Sequence, residues 1–418
     1  VAIIQDVKTY ISELKKQDAA FYAAAAYLII EYVRPHTIFP AIDILPWTPL
    51  ILLVGFASIL VNGKMKIQTT HVIVFLFMCV TLLSTYYSYD RASSMKRIDV
   101  IISWFLVVFM FTNCVKSLHQ FKLLLILFFL CIFKMSFFGA RTWAMRGFGF
   151  TSWGISGPSG WFQNSGELAL LMVIFAAMSY GYLIGNNVKT KIYYLAPITA
   201  VMTVIAASSR GSQIALAVIG ILAALIIGKL KLKNLLVFAF VGWLGFTLLP
   251  AEQKERFSTM GNDGTSESRL MYWEKGIEMM HDHKWIGVGY YAFPAYFSTY
   301  YAPYITFENF TYRREVAHNS LVQVGSELGY TGLFFYLWMV FHCFILSRRA
   351  RELSKKLPDM EAVKWIPKYT ICMDLAVVGY LIGSFFMSVA FYPFIYLFLM
   401  LNQSLFNSLK TESLKAKL

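Results

Sequence analysis

Three side chains in this sequence stand where residue type and setting permit chemistry: Arg210, Arg269 and His318. Arg210 sits in Ser208-Ser209-Arg210-Gly211-Ser212, a very tight connection between two apolar runs, so its guanidinium is held near a fixed point. A boundary arginine can also snorkel to the interface without further purpose, yet such arginines are functional hypotheses by default. Arg269 follows Ser266-Glu267-Ser268 at the expected start of an amphipathic helix. The helix dipole disfavours a cation in the first turn, which an anionic ligand at that terminus would offset. A salt bridge to Glu267 or Glu274 explains it equally well. His318, in Ala317-His318-Asn319-Ser320, is suited to general-base work or to orienting a hydroxyl, although a lone interfacial histidine is more often structural.

Other candidates carry less. His281-Asp282-His283 resembles a metal cluster, but three adjacent residues at a helix end do not face one point, and no further His/Asp pair stands at ligand spacing. No metal site and no cofactor are expected: there is no phosphate-binding glycine loop, dinucleotide fingerprint or GxSxG elbow. Cys79, Cys114, Cys131, Cys343 and Cys372 all lie in or beside apolar runs, which argues against a disulfide framework.

The elements that must position these residues are membrane helices. Of 418 residues, 58% are hydrophobic and 14% charged, with mean hydropathy +0.57, whereas a soluble domain carries about 25% charged residues. The expected fold class is an all-α polytopic membrane protein with about twelve spans, near 19–33, 47–62, 70–87, 98–114, 120–138, 165–184, 192–208, 212–228, 234–250, 319–346, 367–388 and 391–408. This divides the chain into 1–249 with nine spans, a large loop at 250–317, and 318–418 with three spans and a basic loop near 347–368. The first strongly apolar run does not end in a small-residue cleavage motif, so no cleavable signal peptide is expected.

The net charge of +14 reads as topology rather than as nucleic-acid binding, because the charges fall in short loops between apolar runs. Placing the N-terminus in the cytoplasm puts 22 basic residues inside and 14 outside. Nineteen of the inner 22 are lysine, while ten of the outer 14 are arginine. Topology needs only positive charge; a planar fork of donors is what phosphate or carboxylate recognition needs. The outer face is therefore expected to handle an anion, with anchoring to anionic headgroups as the alternative. Two outer segments are long. Gly139–Asn164 is rich in Gly and Trp, which suits close backbone approach to a ligand and stacking on sugar rings or headgroups. It reads equally well as an interfacial loop with aromatic-belt tryptophans. Within Pro250–Ala317, Thr265–Met280 reads as an amphipathic helix with Leu270, Trp273, Ile277 and Met280 on one face.

Together these segments resemble the O-antigen ligase and O-antigen polymerase family of bacterial glycan enzymes. The resemblance rests on Ser209-Arg210-Gly211 and on Ser268-Arg269-Leu270-Met271-Tyr272-Trp273 with Trp285-Ile286-Gly287-Val288-Gly289-Tyr290-Tyr291-Ala292-Phe293. It continues through Ala317-His318-Asn319-Ser320-Leu321 to Glu327-Leu328-Gly329 and Gly332-Leu333, with a weaker match from Gly157-Pro158 to Asn164 and Leu168-Ala169-Leu170. Where the family often has Pro before the Gly-x-Gly stretch, this chain has Lys284-Trp285. The resemblance implies a GT-C-like glycosyltransferase of the bacterial inner membrane, with both termini cytoplasmic and a periplasmic site. It would take a glycan from undecaprenyl pyrophosphate to lipid A–core oligosaccharide, among membrane lipids and without nucleic acid. The family pattern makes Arg210, Arg269 and His318 the functional residues, with Arg146, Gln163, Asn164, Arg313 and Arg314 as second-rank donor contacts. The acceptor alternatives are another repeat unit, as in a polymerase, or a protein Ser or Thr. From another class, a transporter or flippase remains, but no internal repeat is visible and the charges within spans are few: Lys134, Glu167, Glu327 and Asp374.

Overall fold

The structure, a computed structural model, describes residues 2–61, 65–151, 153–228, 264–305, 315–357 and 361–416, together with 236, 247 and 254. The expected span near 234–250, most of the loop preceding Gly264, and Arg313 and Arg314 lie outside the described residues. Among the described residues every regular element is helical. In chain order the principal helices are α1 (Ala2–Leu14), α2 (Ala19–Leu28), α3 (Trp47–Val61), α4 (Thr69–Tyr86), α5 (Ile98–Cys114), α6 (Leu118–Met145) and α7 (Ser165–Gly185). They continue as α8 (Leu195–Ala206), α9 (Arg210–Ile226), α10 (Gly264–Asp282), α11 (Phe293–Tyr300), α12 (Ser320–Ser354), α13 (Ile366–Ser384) and α14 (Pro393–Lys415).

Eleven of the twelve expected spans fall on these helices. Six are long and apolar enough to cross a membrane: Thr69–Tyr86, Arg91–Cys114, Leu118–Met145, Ser165–Gly185, Ser320–Ser354 and Ile366–Ser384. The chain is an integral membrane protein. Four further apolar helices, Ala19–Val33, Trp47–Val61, Lys191–Ala206 and Arg210–Ile226, have no more than 17 residues. At about 1.5 Å per residue they fall short of a hydrocarbon core of about 30 Å. The C-terminal helix α14 is different again. Its Asn402, Gln403, Ser404 and Ser408 are buried, and Gln403 accepts a hydrogen bond from Thr70 of α4, whose hydroxyl also meets His342 of α12 at 2.9 Å. Polar groups on a helix deep in the bundle are tolerated where protein, not lipid, covers them.

The core centres on α7, whose apolar window is the most enclosed of the six, with α13 and α8 packed against it, while α14 packs on α12, α5 and α6. The loops separate into two ends. At one end, Lys116 pairs with Asp18, His119 lies 3.2 Å from Glu13, and Lys122 and Lys368 reach Asn186 and the Ile184 carbonyl. The basic end of α12 also lies there, with Arg351 paired to Asp374 of α13. At the other end, Arg34 donates to the Ser159 carbonyl, Tyr89 N–H donates to the Val288 carbonyl at 3.0 Å, and Ser94 donates to the Tyr290 carbonyl. The lysine-rich and arginine-rich loops of the sequence thus gather at opposite ends of the bundle.

Two local expectations need correction. Helix α10 runs from Gly264, which places Arg269 in its second turn, so the dipole argument has less hold. Its buried face is also only partly the one the apolar spacing suggested: Trp273 and Met280 pack inward, against Phe385 and Gly325. Leu270 and Ile277 are 55% and 43% exposed, while Met271, Tyr272 and Met279 are buried with Gly276. The helix carries apolar residues around most of its circumference, and the face that docks is the one whose Gly276 lets α10 lie directly on Val322 of α12.

Candidate active site

Two of the three singled-out residues, Arg210 and His318, are held by distinct local devices. Arg210 is the first residue of α9, after Ser208 in the left-handed conformation (φ +54°). For an L residue other than Gly, Asn or Asp that conformation costs about 1–2 kcal/mol. The glycine-rich segment closes on this turn: Gly154 has φ +69°, and a Cβ there would collide with the Ala207 carbonyl. Glycine therefore serves close backbone approach here, to protein. His318 is also left-handed (φ +51°) and directly precedes Asn319, whose side chain caps α12 by accepting from the N–H groups of Leu321 and Val322. Its Nε2 lies 2.8 Å from the Glu315 carboxylate, and its ring centroid is 6.3 Å from that of Tyr272. Tyr272 belongs to the buried face of α10, three residues after Arg269.

These three segments converge on a feature the sequence did not flag, the connection Phe385–Ala390 between α13 and α14. A Cβ on Gly211, beside Arg210, would lie 2.9–3.1 Å from the Phe386 side chain. Trp273 of α10 packs edge-on against Phe385 with centroids 5.0 Å apart. Ser320, two residues after His318, donates to the Met387 carbonyl at 2.8 Å and accepts from Val389 N–H at 2.9 Å. Gly166, at the start of α7, completes the ring, with the Met387 sulfur 2.9 Å from where its Cβ would stand. Two hydroxyls around this meeting point, those of Ser208 and Ser388, are buried without a protein hydrogen-bond partner. The connection contributes rings and backbone groups and no titratable side chain, so residue type alone had no signal to give.

The second-rank residues are dispersed. Arg146 is exposed at the C-terminus of α6. Gln163 is exposed in the loop before α7, where its carbonyl accepts from Gly157 N–H. Asn164 caps α7 in position but directs its amide to Glu167, 3.2 Å away. His281 and His283 meet different tyrosines, Tyr330 at 2.7 Å and Tyr296 at 3.0 Å. Several outer arginines have protein partners: Arg34 holds Ser159, Arg91 lies over Tyr86 and Arg97 lies 4.5 Å over Tyr291. Arg97 opposes burial of the Tyr291 hydroxyl, which nonetheless is pushed well above its usual range.

The Gly-x-Gly stretch has its own task. Helix α12 breaks at Gly329 (φ +69°, ψ −172°). The carbonyls released there, Ser326 and Glu327, accept from Val288 N–H at 2.8 Å and Gly289 N–H at 3.1 Å. Glu327 is buried, with the backbone of Tyr291 and Phe293 beside its carboxylate. The turn that Lys284-Trp285 occupies is thus fixed by the broken helix, with Lys284 accepting from Tyr330 N–H at 2.8 Å.

Docking of α10 through Gly276 yields a direct test. Valine there would collide with the β-branched and therefore stiff Val322. Gly276→Val is expected to free α10 from α12 while the apolar bundle stays folded. Hydrogen exchange should show lost protection confined to 264–300, and protection equal to the parent chain would contradict the packing described.

No curated protein matches the chain. Residues 195–337, which carry Arg210, Arg269, His318 and the break at Gly329, match the family described as O-antigen ligase. Over that stretch the chain is similar to the O-antigen ligase family.

Proposed function

We propose that the protein is an O-antigen ligase, transferring a glycan from undecaprenyl pyrophosphate to lipid A–core oligosaccharide at the periplasmic end of a GT-C-like helical bundle. The observation that supports this best is the convergence of the Arg210, Arg269 and His318 segments on Phe385–Ala390. The acceptor hydroxyl attacks the anomeric carbon from the side opposite the leaving group. The new C–O bond forms as the bond to pyrophosphate breaks, so the configuration inverts. With its Nε2–H donated to Glu315, His318 takes the hydroxyl proton on Nδ1. Arg210 and Arg269 stabilise the charge that the pyrophosphate gains on leaving. Pyrophosphate is already a good leaving group, and two guanidinium forks supply the charge that a metal supplies elsewhere, consistent with a sequence without a DxD motif.

The lipopolysaccharide of a strain lacking the gene tests the reading. A ligase leaves core without polymer while polymer accumulates on carrier lipid. A single repeat unit on the core indicates a polymerase, and unchanged lipopolysaccharide rejects both. With purified lipid-linked donor, Arg210→Lys and Arg269→Lys keep the charge but lose the planar fork. Each is expected to slow transfer by roughly 10²–10³-fold, the range for losing one oriented donor to a developing anion.

A further inference from the structure

Beside the Arg/His meeting point lies a second convergence of outer side chains that the mechanism does not use. Tyr392 is two residues beyond Ala390, at the N-cap of α14 and next to the connection that gathers the first site. Its ring meets Trp161, from the segment before α7, at 4.9 Å and 63°. Both rings are half-buried. Trp161 rests on Trp104 (5.8 Å), which is buried, stacks on Tyr396 (5.2 Å, 10°) and donates its indole N–H to the Phe391 carbonyl at 2.9 Å. Tyr291 adds a third half-buried ring, 5.5 Å from Phe391, with the Arg97 guanidinium 4.5 Å over it. Glu167, in the first turn of α7, lies near enough for its charge to act on the Tyr392 hydroxyl. Burial, and then Glu167, push the Tyr392 hydroxyl up to about 12 against the opposing effect of Arg97, so it remains a hydrogen-bond donor. Behind this face, the hydroxyls of Tyr290 and Tyr396 and one carboxylate oxygen of Glu327 are buried without a protein partner.

We propose that Trp161, Tyr392 and Tyr291, rimmed by Arg97 and Glu167, form a saccharide subsite, in which a pyranose ring stacks on the aromatic walls and its hydroxyls bond the rim. Aromatic faces carry negative charge density that matches the polarised axial C–H groups on one face of a pyranose. Rigid rings with a few placed polar groups are also the usual make-up of a small-molecule site. Charge separates this ligand from the pyrophosphate. Arg97 and Glu167 act on Tyr392 with opposite sign, so the rim suits a neutral polyol rather than an anion. Position fits as well, since Gly166 is in van der Waals reach of both Met387 and Ser209, linking this face to the Arg210 turn. Gln163 and Asn164 flank Trp161 and Glu167, and so join this face rather than the pyrophosphate contacts. The proposal rests on the transferase reading only for the source of the glycan.

The test uses the full chain in lipid nanodiscs and two separate probes: delipidated, dephosphorylated core oligosaccharide, and inorganic pyrophosphate. Trp161→Ala and Arg97→Gln are each expected to weaken oligosaccharide binding roughly tenfold or more, the scale of one lost stacked or bidentate contact, and to leave pyrophosphate binding unchanged. Arg97 is exposed, so its variant guards against misfolding of the aromatic one. Unchanged oligosaccharide binding in both variants overturns the subsite. So does a loss confined to association with anionic phosphatidylglycerol, which would make the face a headgroup anchor. If the parent chain transfers no glycan yet binds oligosaccharide through these residues, the transferase reading falls and the subsite stands.

Discussion

Replacing His318 by asparagine is expected to lower glycan transfer by roughly 10²–10⁴-fold, the usual contribution of a positioned general base, while leaving the fold intact. Asparagine is the informative substitution because His318 occupies a left-handed conformation (φ +51°) that Asn adopts readily. Alanine would add backbone strain to the chemical loss. The cap of α12 belongs to Asn319 and the tie to Met387 belongs to Ser320, so neither depends on the imidazole. Glu315→Gln should give a smaller loss, since the imidazole remains but no carboxylate fixes its tautomer from 2.8 Å. Transfer by purified protein with lipid-linked donor, read beside thermal unfolding, separates the cases. Full activity in a folded His318→Asn protein removes this residue from the proposed mechanism and leaves the likeness to the family untouched.

How much of this was legible from residue order depended on whether the signal was local. The apolar runs gave helices at eleven expected positions, because burial in lipid or protein acts on each run independently. The arginine and lysine bias anticipated two chemically distinct ends, and the motif residues marked the turn of Arg210 and the cap beside His318. Tertiary choices were not legible. Helix α10 has apolar side chains around most of its surface, so periodicity could not say that Gly276, rather than Leu270 or Ile277, would face α12. Phe385–Ser388 read as the end of the span at 367–388 and Val389–Ala390 as the gap before the next, whereas the helix stops at Ser384 and the segment offers rings and backbone groups to residues distant in sequence. Arg97 was visible only as a charge, and Glu327 only as a charge within a motif. That they meet through Tyr291 follows from a helix break whose partner loop lies some 40 residues upstream.

That break carries the largest expected effect on stability. Gly329 combines φ +69° with ψ −172°, a region open in practice to glycine alone. A Cβ there would lie 2.6 Å from the Lys284 carbonyl oxygen and 2.7 Å from the Trp285 carbonyl carbon. Both neighbours are backbone and cannot rotate away. Gly329→Ala is therefore expected to cost roughly 3–5 kcal/mol, the sum of a forbidden conformation and an overpacked contact. Gly325, one turn earlier, is the contrast. A Cβ there meets the side chain of Met280, which is flexible, and Gly325→Ala should cost about 1 kcal/mol or less. Restoring a straight α12 would return the Ser326 and Glu327 carbonyls to helical bonding and withdraw the acceptors that hold Val288 and Gly289. The helix segment that begins at Asn319 would also lose the angle at which it leaves the bundle beside Met387. Gly329→Ala should accordingly lower both the unfolding temperature and transfer, and Gly325→Ala neither by much. If the two alanines prove equivalent in unfolding, the break is not what orients the His318 end of α12, and the loop from Lys284 to Phe293 must be held by other contacts.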